Sequence, residues 1–511
     1  MWSRLAFFAL VASCAAAPRP MGGTTGGAGG DEPEPGTGGV TATGGKPASG
    51  GAGGRGGAGT GGTGTGGASD PDAGREDAGG GTGGSTPTGG TSGTGGAGGT
   101  GGGGATGVAC VHKVMVADAA ALTPALTAAK PGDCLRLADG QYPAISITAQ
   151  GTEAAPIVIQ AQNRHKAVFT GAVTFSGASW VTLEGFAVSA VRMSNSKRCR
   201  LTRALVSIPG GLSVDGNGEG NRIDHCDIGG GSSSGDIVHP GGLSTNTLID
   251  HNHFHDLHAP HTITLGCCGA TYDYHDTGDV AEYNLFVNCM SGAELFSVKS
   301  SASTIRYNTV RNCAGDIDIR AGRHDSIYGN FVFNSGNFGI RMYEDDHRIF
   351  NNYVESGRAI AVGPWHEGHA QVKNATIAFN TFVGRVSLGD DVNTIFSNNI
   401  VIGPVTVSMG LGGAMPIMPT YKNNILASGS PPPGGAGGFT VVDPKLVRMG
   451  ELLTLAPGSP AIGAGSAVPF VMDDIAGTPR GSKPDVGAQQ WASMPGMRRP
   501  LTKADVGPDA P

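Results

Sequence analysis

Lys299, Arg320 and Arg341 follow one another at steps of 21 residues in a chain of 511. Apolar neighbours keep the same step: Phe296, Ile317 and Phe338, then Val298, Ile319 and Ile340. A period of roughly 20–25 residues is that of a stacked β-coil with one strand-bearing turn per repeat. Side chains alternate across a strand, so inward Val298, Ile319 and Ile340 would put the three cations on an outer face. Adjacent strands lie about 5 Å apart. A column of cations so close repels itself, and an acidic ligand would relieve that repulsion.

A second repeat supplies the elements that position this column. Its form is Ile-x-x-Asn followed, two residues on, by Phe, Val or Ile. It places Asn252, Asn308, Asn330, Asn352, Asn380 and Asn398, with weaker copies at Asn284 and Asn423 and Cys226 in the Asn place. An asparagine once per turn has two physical uses. It tolerates the left-handed backbone of a sharp bend, and its amide can bond to the asparagine above and below. The pattern predicts an all-β, single-stranded, right-handed parallel β-helix over 107–430. Residues 431–491 read as its closing segment, since an open end would expose unpaired strand edges. Residues 492–511 read as a disordered tail.

The 90 glycines fall largely outside the repeat. Residues 19–106 are Gly, Thr, Ala, Ser and Pro with almost no apolar bulk, the composition of a disordered linker. Residues 1–18 resemble an export signal, with Arg4 before an apolar run too short to span a bilayer. Leu10-Val11-Ala12-Ser13-Cys14 is similar to a lipoprotein signal in which Cys14 is lipidated; the alternative is ordinary cleavage near Ala15–Ala17. Export to the cell envelope, with membrane contact only through that anchor, and a monomeric chain are expected. A net charge of −7 argues against nucleic acid and fits a local site for a specific anion. Cys110 and Cys134 could pin the first turn. Cys289 and Cys313 stack on adjacent turns, as a bridge or as buried thiols. His251, His253 and His255 alternate along one strand and face outward, either as a sugar-contacting rim or as metal ligands. Trp365, with His366 and His369, lies just past the cation column and could stack on a sugar ring.

From about 130 to 355 the residues resemble the alginate lyase and chondroitinase B family of polysaccharide lyases. The resemblance rests on Pro131-Gly132-Asp133 to Tyr142, on Tyr283 to Phe286, and on Glu294 to Ser300. It continues through Ile319-Arg320, Gly339-Ile340-Arg341 and Asp346-His347-Arg348-Ile349 to Tyr353. It implies cleavage of an anionic, uronate-containing polysaccharide by β-elimination. Lys299 would take the C5 proton and Arg320 would assist the leaving 4-oxygen, while Arg341, His347 and Tyr343 would contact substrate. It also implies a calcium ion held by acids, of which Glu294 is present; Gly292 stands where a second acid is usual. Asp316 and Asp318 could rebuild that site or could simply pair with the basic column. Two other readings stay open: a β-helix hydrolase using carboxylates such as Asp316, Asp318 or Asp345, and a non-catalytic anionic-glycan-binding protein.

Overall fold

A computed structural model describes residues 112–207, 210–266, 274–290, 292, 294–336, 338–363, 371–389, 391–407, 417–492 and 496–511. The segments read as signal and linker, with Cys14 and Cys110, lie outside these residues, as do Trp365, His366 and His369. Among the described residues no helix is long and apolar enough to cross a membrane.

The chain winds as a parallel β-helix. One flank is a 14-stranded parallel sheet running from His112–Val116 to Thr420–Lys422. A 24-stranded sheet forms the other flanks. Successive turns send an apolar side chain into a continuous interior, among them Leu183, Ile223, Ile249, Ile305, Ile327 and Ile349, all at 1% exposure or less, with the smaller Ala281 between Ile249 and Ile305. At the N-terminal end, helix Ala119–Ala128 is capped by the Asp118 carboxylate, which accepts from Ala121 N at 2.9 Å, and it buries Leu122. The strand repeat gave no sign of this helix.

The asparagines form a ladder. Asn252, Asn284, Asn308, Asn330, Asn352, Asn380 and Asn399 each pass a side-chain N–H to the amide oxygen of the next, at 3.0–3.1 Å, and Asn424 accepts the last of these bonds. Of the two uses foreseen for these residues, the amide stack is the one observed. The left-handed backbone belongs to the preceding residue, as at His251, Tyr283, Tyr307 and Asn351. In the last turns the expected position slips: Asn399 and Asn424 join the ladder, whereas Asn398 and Asn423 take the left-handed bend. The strand register is unbroken: Phe396, not Ile395, pairs with Ile377 and turns inward, so the second asparagine of each Asn-Asn pair takes the ladder place.

Residues 431–491 do more than cover an end. Leu446–Met449 and Leu452–Leu455 make an antiparallel hairpin, and Ile475, Ala488 and Val471 pack on outward Phe331, Tyr353 and Phe379. The tail expected to be disordered is instead packed along the solenoid from 496 onward. Leu501 N donates to Thr309 Oγ1, Gly507 N to His251 O, and Arg203 to Pro508 O and Ala510 O. Hydrogen bonds between the backbone of this segment and the turns hold it in place. Cys134 is disulfide-bonded. Cys199, Cys226, Cys289 and Cys313 are buried free thiols, and Cys289 N donates to Cys313 Sγ at 3.4 Å in place of a bridge.

Candidate active site

Strand Glu294–Lys299 pairs with Asp316–Ile319, setting Val298 against Ile319, so Lys299 stands beside Arg320. Val298 and Ile319 point into the core and their basic neighbours point out. Arg320 is 37% exposed, and its Nη1 donates to Glu294 Oε1 at 2.7 Å. Lys299 is partly exposed, and no described carboxylate lies within ion-pair distance of it. One turn earlier the position facing Lys299 is Gly266, with φ +87°; a Cβ there would meet the Lys299 carbonyl at 2.7 Å.

Arg341 does not complete this column. Ile317 pairs with Ile340 and Asp318 with Arg341, so the third cation is displaced by two positions. It is buried, with Nη2 2.6 Å from Asp318 Oδ2, Nε 3.2 Å from Asp316 Oδ2 and Nη2 3.7 Å from Glu294 Oε1. Glu294, Asp316 and Asp318 are each at most 2% exposed. Burial pushes the Asp316 carboxyl up to about 6, and the neighbouring Glu294 adds to this against the pull of Arg341. Burial likewise holds Asp318 well above the carboxylate range, with Glu294 and Asp316 reinforcing it. Arg341 resists burial because Asp318 and Asp316 hold it charged.

Tyr343 and His347 are not on the surface. Tyr343 is 1% exposed, and its burial raises the phenol to about 12. His347 is 0% exposed: Nε2 lies 2.8 Å from Tyr343 O, and Nδ1 accepts from Asp325 N at 3.2 Å. Burial lowers it to about 4, so it is a neutral corner brace rather than a substrate contact. Asp345 faces Arg323 at the next corner, and buried Asp316 and Asp318 are engaged by Arg341, which leaves no exposed carboxylate pair among them for hydrolysis. Residues that sequence spacing did not bring here are Asp236, His239 and His261. His261 Nδ1 is 2.8 Å from Asp236 and its Nε2 is 3.5 Å from Glu294, while His239 Nε2 is 2.8 Å from Gly266 O. Their turns differ in length from those of the basic column, so no fixed step reveals them.

Glu294 Oε2, Asp316 Oδ1 and Asp318 Oδ1 are buried without a hydrogen-bond partner. Yet the three acids are not among the described residue sets whose ligand atoms lie within 4.8 Å of one another. They close on Arg341 and Arg320 instead.

A parallel β-helix with a lysine–arginine pair on an outer face, above buried acids, has the architecture of the β-helical polysaccharide lyases. The family model described as Chondroitinase B matches residues 116–190 and 209–431, and the chain belongs to that family. The solved structures it is similar to include a mannuronic acid specific polysaccharide family 6 lyase from human gut microbiota. That match has 22% identity, covers 65% of this chain and 91% of that one, and has a TM-score of 0.56. It is also similar to the PL6 family alginate lyase AlyGC, at 21% identity, 75% and 59% coverage and a TM-score of 0.60. A PL6 alginate lyase in complex with a trisaccharide matches at 17% identity, 69% and 92% coverage and a TM-score of 0.52. At these identities the likeness is one of fold. No curated protein matches the chain.

Proposed function

We propose that the protein is an exported lyase that cleaves a uronate-containing polysaccharide, alginate-like or chondroitin-like, by β-elimination. The observation that carries this reading is the register of Val298 on Ile319, which stands Lys299 beside Arg320 with both side chains reaching solvent. Lys299 takes the proton from C5 of the uronic acid. The electrons form the C4–C5 double bond as the 4-oxygen leaves, and Arg320 holds the developing negative charge or returns a proton to that oxygen. Glu294 fixes the Arg320 guanidinium at 2.7 Å, which supports a preorganised donor. Arg341, buried and paired with Asp316 and Asp318, holds that acidic pair in place and is not offered to the substrate.

The test is incubation with alginate, chondroitin and pectin, following unsaturated-uronate absorbance and reducing ends together. Absorbance is the expected outcome. Reducing ends without absorbance would point to hydrolysis, and binding with neither to a non-catalytic glycan-binding protein. Export and lipidation at Cys14 rest on the N-terminal sequence; loss of membrane association in Cys14→Ala cells is the outcome expected of an anchor.

A further inference from the structure

Strand Asp227–Ser232 lies beside strand His253–His258, with Asp227 opposite His253 and Gly229 opposite His255. Residues two apart on a strand share a face, so the side chains of Asp227, His253 and His255 project to one side. Asp227 Oδ1 is 2.7 Å from His255 Nε2, and its Oδ2 is 3.2 Å from His253 Nδ1. The two rings are stacked, 4.5 Å between centroids. One donor atom from each of the three residues lies within 4.8 Å of the other two. Gly229 makes this approach possible, because a Cβ there would stand 2.6 Å from His255 Nε2. Asp256 orients the ring from behind, its Oδ2 3.0 Å from His255 Nδ1, and Asn288 donates to Asp256 Oδ1 at 3.3 Å.

We propose that Asp227, His253 and His255 form a site for a divalent transition metal of the zinc, cobalt or nickel type, separate from the lyase site. Two imidazoles and one carboxylate are the donor set such ions take, with remaining positions left to water. Calcium, which prefers oxygen, is disfavoured by the two nitrogens. A carboxylate on the far nitrogen of a ligating histidine is the usual outer support, and Asp256 supplies it. In the metal-free arrangement His255 Nε2 and Asp227 Oδ1 share a hydrogen bond at 2.7 Å, and a bound cation would take the place of that shared proton.

The neighbouring set His225, Asp250 and His251 meets the same distance criterion but is closed. Both Asp250 oxygens accept from Arg222, at 2.7 and 2.6 Å. Among the described residues no arginine pairs with Asp227. Besides the two histidines, its cationic neighbour is Lys503 of the packed tail, 3.6 Å away on a side chain 74% exposed and able to swing clear.

The test uses the full chain without a histidine tag, stripped by chelator. It is titrated with Co2+, read by visible absorption, and with Zn2+, read by calorimetry. One bound ion per chain is expected. Asp227→Asn and His255→Gln should lose saturable binding, and Asp256→Asn should weaken it about 10–100-fold. His251→Gln should bind as the parent does, and Lys503→Met at least as tightly. Thermal melts check that each variant folds; Asp256 and Lys503 are exposed enough to read the site if the inner variants do not. Absence of saturable binding, or binding that survives Asp227→Asn and His255→Gln in folded protein, would overturn the proposal.

Discussion

The guanidinium of Arg341 lies 2.6 Å from the carboxylate of Asp318, the residue beside which it stacks in the adjoining turn. That pair separates the two arginines of the site. Arg320 is left at the surface with Lys299, and Arg341 becomes the internal counter-ion of Asp316 and Asp318.

Removing either surface cation should abolish elimination without unfolding the chain. Lys299→Ala and Arg320→Ala are each expected to lower turnover by about 10²–10⁴-fold, the range for a lost acid–base group. Unsaturated-product absorbance measures the loss, and an unchanged melting curve separates it from misfolding.

Arg341→Ala should behave differently. It leaves two buried carboxylates, Asp316 and Asp318, without their main cation, so it is expected to cost about 3–5 kcal/mol of stability. Chemical denaturation checks this, and the additional Asp318→Asn change should restore part of the loss.

Asp279 gives a pH signature. It is 0% exposed, and burial raises its carboxyl to about 6, although Oδ1 accepts from Thr247 N at 2.7 Å. The folded protein therefore binds this proton more tightly than the unfolded chain does. Its contribution to stability is fully present below about pH 4 and is lost as pH rises through 6, by roughly 3 kcal/mol in all. In Asp279→Asn that fall should be missing from a stability profile between pH 4 and 7.

Arg480 is the clasp of the closing segment. It donates to Gln490 Oε1, Asn351 Oδ1 and the carbonyls of Gly487 and Ala488, and it lies over the Phe379 ring at 4.0 Å. Arg480→Ala should cost several kcal/mol and open this segment first, visible as proteolysis within 431–491 before the solenoid is cut.

The solenoid was legible because Asn and the inward Ile recur once per turn, and a period that persists over many turns has few alternative readings. Lys299 beside Arg320 was legible for the same reason. Arg341 was not: its 21-residue step matched by coincidence, while Asp318 to Arg341 spans a longer turn that carries Phe338 and Gly339 before the strand. His347 misled because a motif match carries no burial, and a corner histidine inside the coil has the same letter as one on the rim. The packed tail was missed because its anchors are carbonyls accepting from Arg203 and Arg311, which composition does not record.

The amide ladder has an architectural consequence. It clamps one corner of each rung to the next, so changes in rung length must be absorbed elsewhere around the circumference. Such a spindle lets the loops that would meet a sugar chain lengthen or shorten freely while the platform beneath Lys299 and Arg320 keeps its place.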